Sequence, residues 1–279
     1  MESLIDAPLE AVWAATQDPG QHQRWDVRFG EISYQPRFEG GPQRFTYATT
    51  LLPGFTITGT GESLGDRDRP DGTHWSGLKF WADDWRSIIE AGAGYWRYVP
   101  TENGIRFLTR YDYRPRWGRL GEVIDRHAVR PIFGWATAWS FDRLRLWMEQ
   151  GIPPERSRNR TIAHGGAVYG LAGMWMYDGL LRKRLSGAGA AEVVAGLLTV
   201  RASRRKWPFL TTAVAVPLLV FSADRAHRRS FRRVLTPAWM GWVTATLAAV
   251  AVATADDLPS AQRPLRTAPD RQPNVGDLP

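Results

Sequence analysis

The chain has 279 residues, contains no cysteine and carries a formal net charge of +8 at pH 7. The absence of cysteine excludes disulfides, cysteine-ligated zinc, iron–sulfur clusters and thiol catalysis. The five histidines do not occur at metal-ligand spacings such as His-x-x-x-His, and the sequence contains no phosphate-binding loop or dinucleotide fingerprint. We therefore expect neither a metal nor another cofactor.

The positive charge is concentrated in the second half of the chain. Residues 1–150 contain 18 Lys or Arg against 20 Asp or Glu, whereas residues 151–279 contain 18 against 8. The basic residues of the second half form short clusters between apolar runs, as helix-flanking loops do at an anionic membrane surface. Nucleic-acid binding needs a basic stripe along one face instead. We expect membrane lipids and no nucleic acid as partners, and nothing in the sequence indicates an oligomeric state.

Two short helices are predicted near the beginning of the chain. Asp6 and Pro8 provide a cap residue and a proline in the first turn, and the apolar residues at 9, 12 and 13 repeat at helical spacing. The sequence Asp18-Pro19-Gly20 ends this helix, and a second helix leads to Trp25.

The next eighty residues have the pattern of strands separated by turns. Runs of β-branched and aromatic residues predict strands at 32–34, 45–49, 55–59, 75–81, 87–100 and 105–114. Residues 66–72 are predicted to form a hairpin loop, and the glycines at 59 and 61 predict a bulge. Consecutive strands joined by short turns predict an antiparallel meander that curls.

A long helix is predicted from about residue 120 to residue 149, with a break or kink at Pro131. Trp135 and Trp139 lie on one face of this helix, and Gly151 followed by two prolines ends it.

These elements carry a resemblance to a known superfamily. The segment 5–13, followed by Asp18 and by Arg24-Trp25-Asp26, resembles the opening of START/polyketide-cyclase-like (SRPBCC) proteins, and the tryptophan-rich helix resembles their closing helix. The resemblance implies an α+β helix-grip domain over residues 1–154, in which a curved antiparallel sheet surrounds a long C-terminal helix. It also implies a cup for a hydrophobic ligand. Some members of the superfamily are cyclases, and many have no assigned reaction.

Large aromatic side chains are the predicted lining of this cup. The chain contains fourteen tryptophans, most of which we expect to pack in the core or to line the cavity. The predicted cavity residues are Trp96, Tyr111, Tyr113, Trp135 and Trp139.

Arg110 and Asp112 are the candidates for catalysis. They share one face of the strand 105–114, opposite Tyr111 and Tyr113. If that face pointed into the cup, the pair would bind a carboxylate or move a proton. Alternation along the strand favours the other interpretation, in which the charged residues form the solvated outer face.

The second half contains runs without any Asp, Glu, Lys or Arg. Such runs occur at 161–177, 207–223 and 234–255, and a fourth run at 185–200 contains only Glu192. About 20 apolar residues cross a bilayer. Because charge is confined to the ends of these runs, an all-α transmembrane helical bundle over 155–257 is favoured over a soluble bundle. Residues 258–279, rich in proline and polar residues, are predicted to be disordered.

A second resemblance concerns this half. Trp175, Tyr177, Gly179 and Lys183, with Glu192 shortly after, are similar to the first helix and loop of DoxX-like small membrane proteins. That family implies four transmembrane helices, but the second apolar run is short, which leaves three and four spans both open. Some relatives are linked to quinone or sulfur redox chemistry. This chain lacks cysteine and any haem or flavin motif, so that activity is not carried over.

Together these features predict a multi-pass protein of the cell membrane. Its first ten residues are acidic and lack the apolar core of a signal peptide, so we expect the N-terminal domain on the cytoplasmic side. The expected function is binding of a lipid-like or polyketide-like molecule, with little or no catalysis. The alternatives are a cyclase or dehydratase acting on such a ligand, and a membrane scaffold with a vestigial cavity.

Overall fold

The computed structural model describes residues 1–37, 40–52, 54–181 and 237–255, together with the single positions 194 and 258. The chain divides into two compact units, the first containing Met1–Glu155 and the second Arg156–Leu258. The predicted span at 207–223, most of the run 185–200 and nearly all of the tail 258–279 lie outside the described residues.

The first unit is built on one antiparallel sheet of seven strands. Two short helices separate its first two strands. In chain order the elements are β1 (Glu2–Ile5), α1 (Leu9–Gln17), α2 (Pro19–Trp25), β2 (Glu31–Tyr34), β3 (Arg44–Leu52), β4 (Phe55–Asp68), β5 (His74–Trp81), β6 (Ile89–Thr101) and β7 (Gly104–Pro115). The strand order in the sheet is β1-β7-β6-β5-β4-β3-β2. Strands β2 to β7 therefore pair with their neighbours in sequence, and the predicted α+β class with an antiparallel meander is confirmed.

Asp18 separates the two short helices. It ends α1, and its carboxylate then accepts a hydrogen bond of 2.8 Å from the backbone N–H of Gln21 in the first turn of α2. Pro19 occupies the first position of α2, where a missing N–H costs nothing because that group would have no partner in the helix. The local sequence thus determines the sharp turn between the helices.

A continuous helical segment closes the first unit. It consists of α3 (Gly118–Ile124), a π-helical turn (Asp125–Val129) and α4 (Arg130–Gln150). The π-helical turn ends at Val129, two residues before Pro131. Proline has no N–H to donate to the preceding turn, and its ring crowds the carbonyl group four residues earlier. The segment ends where Gly151 adopts a φ of 64°, a conformation that glycine adopts without steric cost.

Strand β4 is longer than the sequence indicated, and glycines 59 and 61 do not form the predicted bulge. Both lie in regular register opposite aromatic residues of β3, Gly59 facing Tyr47 and Gly61 facing Phe45. The irregularity in the pairing of β4 with β5 lies between Ser63 and Gly65. The rings of the neighbouring strand occupy the space that side chains at 59 and 61 would fill, so the strand continues through both glycines.

The same pairing of glycine with an aromatic ring occurs at four places on one face of the sheet. The cross-strand pairs are Phe45 with Gly61, Tyr47 with Gly59, Phe80 with Gly92, and Tyr111 with Gly94. A Cβ atom built on any of these glycines would lie between 2.2 and 2.6 Å from the nearest ring atom. Glycine therefore allows each ring to lie flat across the adjacent strand, where it packs against the backbone.

The core of the first unit fills only one end of the sheet. Trp25 of α2, Tyr98 of β6, Phe107 of β7 and the α4 residues Phe141 and Leu144 are fully buried there. They pack with β1 and α1 into one cluster. The inner face of β2 to β5 and the first turns of α4 are not part of this cluster. They contribute to the wall of a cavity, which is described in the next subsection.

The second unit contains two described helices, α5 (Pro154–Leu181, whose first two residues belong to the first unit) and α6 (Pro237–Ala253). They pack through Ala167, Val168 and Leu171 of α5 and two alanines of α6. Neither helix is both long and apolar enough to cross a bilayer. The predicted transmembrane bundle is therefore not supported by the described residues: α6 has 17 residues, and glycines and polar residues interrupt the apolar part of α5.

We expect Gly94→Ala to lower the free energy of unfolding by about 1–3 kcal/mol, because the new Cβ atom would overlap the Tyr111 ring and the Arg110 carbonyl oxygen. Thermal unfolding followed by circular dichroism measures the change. Gly134→Ala is the control: its Cβ atom meets no atom within 4 Å, and alanine favours a helix by about 1 kcal/mol. Equal midpoints for Gly94→Ala and the unmodified chain would contradict close packing of this ring.

Candidate ligand-binding cavity

The inner face of the sheet and the start of α4 enclose a cavity of about 330 Å³. Its volume falls in the usual range for small-molecule sites, roughly 300–1,000 Å³. Most of the lining is apolar and aromatic. The apolar and aromatic lining residues include Phe29, Ile32, Phe45, Tyr47, Ile57, Leu78, Phe80, Ile88, Ile89, Trp96, Tyr111, Val129, Ile132 and Phe133. The aromatic members of the four glycine–ring pairs all belong to this lining, so the pairs form the floor of the cavity.

A buried ion pair lies at one end of the cavity. Arg28, which lines the cavity, binds Asp26 through two hydrogen bonds, Nε to Oδ1 at 2.8 Å and Nη2 to Oδ2 at 2.5 Å. The side chains are 3% and 0% exposed. The pair also contacts α4: Ser140 Oγ donates to Asp26 Oδ1 at 3.2 Å, and Arg28 Nη1 donates to Thr137 Oγ1 at 3.2 Å. A buried bidentate pair with further hydrogen bonds is the arrangement in which two buried charges are tolerated.

Both members of the pair are charged at neutral pH. Burial by itself raises the pKa of the Asp26 carboxyl, but the attraction of Arg28 and the hydrogen bond with His22 outweigh it, so the pKa lies well below its usual range. Burial lowers the pKa of the Arg28 guanidinium, but the adjacent carboxylate of Asp26 and the nearby Tyr111 together raise it, and the net shift is upward.

His22 is the third polar residue at this end. It lines the cavity, and its Nε2 lies 3.2 Å from Asp26 Oδ2. Because an ionised carboxylate only accepts hydrogen bonds, the proton of a neutral His22 is on Nε2, and Nδ1 is the basic nitrogen. The ring packs against Trp25 and Trp96, with centroid distances of 5.1 and 4.9 Å. An oriented imidazole of this kind can accept or return a proton.

Tyr111 and Trp96 complete the polar end. The indole Nε1 of Trp96 donates to the Tyr111 hydroxyl at 2.8 Å. The guanidinium carbon of Arg28 lies 5.2 Å from the centre of the Tyr111 ring. His22, Arg28, Trp96 and Tyr111 therefore form one polar group, connected through Asp26, in a mainly apolar wall.

Two of the predicted cavity residues, Trp96 and Tyr111, line the cavity, and the other three lie elsewhere. The Tyr113 hydroxyl donates to Asp125 Oδ1 at 2.6 Å, in the π-helical turn, and burial together with this contact raises the pKa of Tyr113 to about 12.

Trp135 and Trp139 stack on each other with ring centroids 5.5 Å apart. Phe133, which faces the cavity, defines the inner side of α4. At about 100° per residue, the two tryptophans lie about 200° and 240° around the helix from Phe133, which places them on its other side.

Arg110 and Asp112 lie on the face of β7 opposite Tyr111. Their side chains are 40% and 55% exposed and face each other at 3.4 Å. Neither residue lines the cavity. An exposed pair of this kind contributes about 0–1 kcal/mol to stability.

His22 and Arg28 were not identified from the sequence. The available signal is a histidine four residues before an aspartate at the end of a predicted helix, which brings the two side chains together on one face. The position of Arg28 depends on packing between α2, β7 and α4. No local pattern in the sequence predicts that packing.

Trp175, Tyr177 and Gly179, the described residues of the predicted membrane motif, lie in α5. Tyr177 is exposed. Lys183 and Glu192 lie outside the described residues. Within the part of the chain that the structure describes, no group of three or more His, Cys, Asp or Glu residues is arranged to hold a metal ion.

The first unit is thus an α+β domain in which an antiparallel sheet and a long helix enclose a mainly apolar cavity. No protein-family model matches the chain. A protein of Bacillus subtilis (strain 168), named uncharacterized membrane protein YndG, is 38% identical over 209 residues, which cover 74% of this chain and 78% of that protein. The chain belongs to the family of this membrane protein.

Solved structures with more distant similarity were also found. The aromatase/cyclase StfQ of the steffimycin biosynthetic pathway is 15% identical, with a TM-score of 0.42, and the match covers 54% of this chain and 49% of that chain. Protein CV1439 of Chromobacterium violaceum is 14% identical, with a TM-score of 0.40 and coverage of 53% and 94%. The protein TTHA0849 of Thermus thermophilus is 16% identical, with a TM-score of 0.36 and coverage of 48% and 84%. The similarity to DoxX-like proteins stays a prediction.

We expect Asp26→Asn to lower the free energy of unfolding by about 3–5 kcal/mol at neutral pH, because it leaves the Arg28 cation buried without a counter-charge. Thermal unfolding of the variant and the unmodified chain measures the loss. Glu90→Gln is the matched control. It breaks the more exposed ion pair with Arg114 and is expected to cost less than about 1 kcal/mol.

The pH dependence of unfolding provides the check on this interpretation. The pKa of Asp26 is lower in the folded than in the unfolded chain, so on acidification the unfolded chain takes up the proton first. The contribution of the pair is complete above the unfolded pKa of about 4 and is lost as the pH falls towards the folded pKa. Stability should therefore fall more steeply with acid in the unmodified chain than in Asp26→Asn, and equal slopes would contradict an ionised Asp26.

Proposed function

We propose that the first unit binds one hydrophobic small molecule, lipid-like or polyketide-like, in the cavity, and that the second half of the chain attaches this unit to the cell membrane, with the first unit on the cytoplasmic side. The observation that carries the binding proposal is the open volume of about 330 Å³ lined by a mainly apolar wall. A ligand that fills it gains about 25 cal/mol for each Å² of apolar surface removed from water.

The shape of the core supports binding over a purely structural role. Large rings fill the end of the sheet near β1, but they leave the end near β3 and β4 open. Small residues there, among them Gly59 and Gly61, keep the floor flat and the volume free. A scaffold with a vestigial cavity would have side chains in this space.

Two observations support membrane attachment. The Bacillus subtilis relative is named a membrane protein. Residues 151–279 contain 18 Lys or Arg and only 8 Asp or Glu, and their basic clusters alternate with uncharged runs of about the length of a membrane-spanning helix.

We expect the uncharged fluorescent probe N-phenyl-1-naphthylamine to bind the full-length protein saturably, with detergent alone as the blank. Ile57→Trp should weaken this binding, because the larger side chain takes up part of the cavity. Val123→Trp adds the same side chain at an exposed position outside the cavity and should leave binding unchanged. A lack of saturable binding to the unmodified protein, or equal binding by both variants, would contradict the proposal.

We expect the full-length protein to stay in the membrane pellet after washes with high salt and with alkaline carbonate, and to enter the supernatant only with detergent. Salt removes proteins held by charge alone, whereas helices in the bilayer core resist both washes. A known peripheral protein followed in the same fractions shows that the washes work. Release of the chain by salt or carbonate would rule out integral attachment.

A further inference from the structure

We propose that the polar end of the cavity recognises an uncharged carbonyl group of the ligand, such as that of a ketone or an ester, through the hydroxyl of Tyr111. This inference rests on the proposed function, because it specifies the chemical class of molecule that the same cavity accepts. It follows from the hydrogen bonds that Tyr111 already makes and from the charges that surround it.

The Tyr111 hydroxyl still has its proton to donate. A phenolic hydroxyl accepts through its oxygen lone pairs and donates one proton. Trp96 Nε1 is only a donor and lies 2.8 Å from this oxygen, so Tyr111 accepts there. The guanidinium of Arg28, also only a donor, lies over the Tyr111 ring, with its carbon 5.2 Å from the ring centre, and accepts nothing from the hydroxyl. Among the residues that the structure describes, no group accepts the proton of Tyr111, which therefore remains for a molecule in the cavity.

The surroundings of this proton favour a neutral acceptor. Arg28 is the one permanently charged residue among the described lining residues. The carboxylate of Asp26, bound to it by two hydrogen bonds, already neutralises its charge. An ionised carboxylate on the ligand would thus enter an apolar cavity without a free counter-charge, which is costly. A carbonyl oxygen accepts the Tyr111 proton at far smaller desolvation cost.

Geometry also limits what the hydroxyl can reach. Tyr111 lies flat over Gly94, where the ring edge fills the space of a missing side chain, so its oxygen is held in place by backbone packing and by Trp96. Phe80, which lines the cavity, lies beside the ring, with centroids 6.1 Å apart. The ligand therefore meets the fixed hydroxyl donor of Tyr111 beside an apolar surface. This arrangement suits a carbonyl group attached to an aromatic or alicyclic ring system.

The test measures the binding of three fluorescent probes to the full-length protein. All three probes contain the same naphthalene ring system. The first probe is 6-propionyl-2-(dimethylamino)naphthalene, a ketone whose emission moves to the red when its carbonyl accepts a hydrogen bond. The second is the same amine without the ketone. The third carries a carboxylate in place of the ketone (the corresponding 2-naphthoate). We expect the ketone to bind more tightly than the carboxylate. Tyr111→Phe should weaken ketone binding by roughly tenfold and shift its bound emission to the blue, since one hydrogen bond is lost.

Two comparisons make the result decisive. The amine without a ketone should bind the unmodified protein and Tyr111→Phe equally, which shows that the variant keeps its cavity. Tyr169→Phe removes a hydroxyl from an exposed tyrosine that does not line the cavity and should leave the ketone's emission unchanged. Ketone binding that Tyr111→Phe leaves intact would overturn the inference while the proposed function stands, and so would tighter binding of the carboxylate. If none of the probes binds the unmodified protein, the proposed function fails and this inference falls with it.

Discussion

The buried pair of Asp26 and Arg28 is the interaction on which the geometry of the first unit depends. Either charge alone in this place would cost several kcal/mol, so the two residues have to stay together, and two hydrogen bonds hold them. Ser140 and Thr137 connect the pair to α4, so the pair also sets the gap between the helix and the sheet. The cavity occupies this gap. His22 takes its orientation from the same carboxylate, and Tyr111 lies against the same guanidinium.

The sheet has two different ends because small and large residues are distributed unequally along its inner face. Trp25 and Phe141 fill the end that β1, β6 and β7 share with the later turns of α4. At the other end, glycines on β4 and β6 face rings on neighbouring strands, and the rings lie flat instead of filling the interior. Packing of the first kind stabilises the fold, and packing of the second kind leaves room for a ligand. Both depend on the same antiparallel register, in which residues of one face alternate along each strand.

Much of the fold of the first unit was predictable because its signals are local. The predicted strand at 75–81 corresponds to β5, and the predicted closing helix corresponds to α3, the π-helical turn and α4. Proline, glycine and capping residues mark these boundaries in the sequence itself. The extent of β4 was not predictable, because glycines 59 and 61 weaken a strand locally and rings from β3 compensate for them across the sheet. In the second unit, uncharged runs predicted membrane spans, but the described helices do not meet the length and hydropathy of a span.

The sequence by itself determined the class of the first unit, the alternation that turns Tyr111 inward and Arg110 outward, and the exclusion of cysteine chemistry, because each depends on residue type and on spacing along the chain. Only the tertiary structure decided which polar residues reach the cavity. Arg28 and Tyr111 are far apart in sequence, and their meeting depends on how α2, β7 and α4 pack. Trp135 and Trp139 are equally aromatic yet lie outside the cavity. Contacts of α4 with the sheet and with the buried pair set the rotation of the helix about its axis. That rotation selects which side of the helix faces inward.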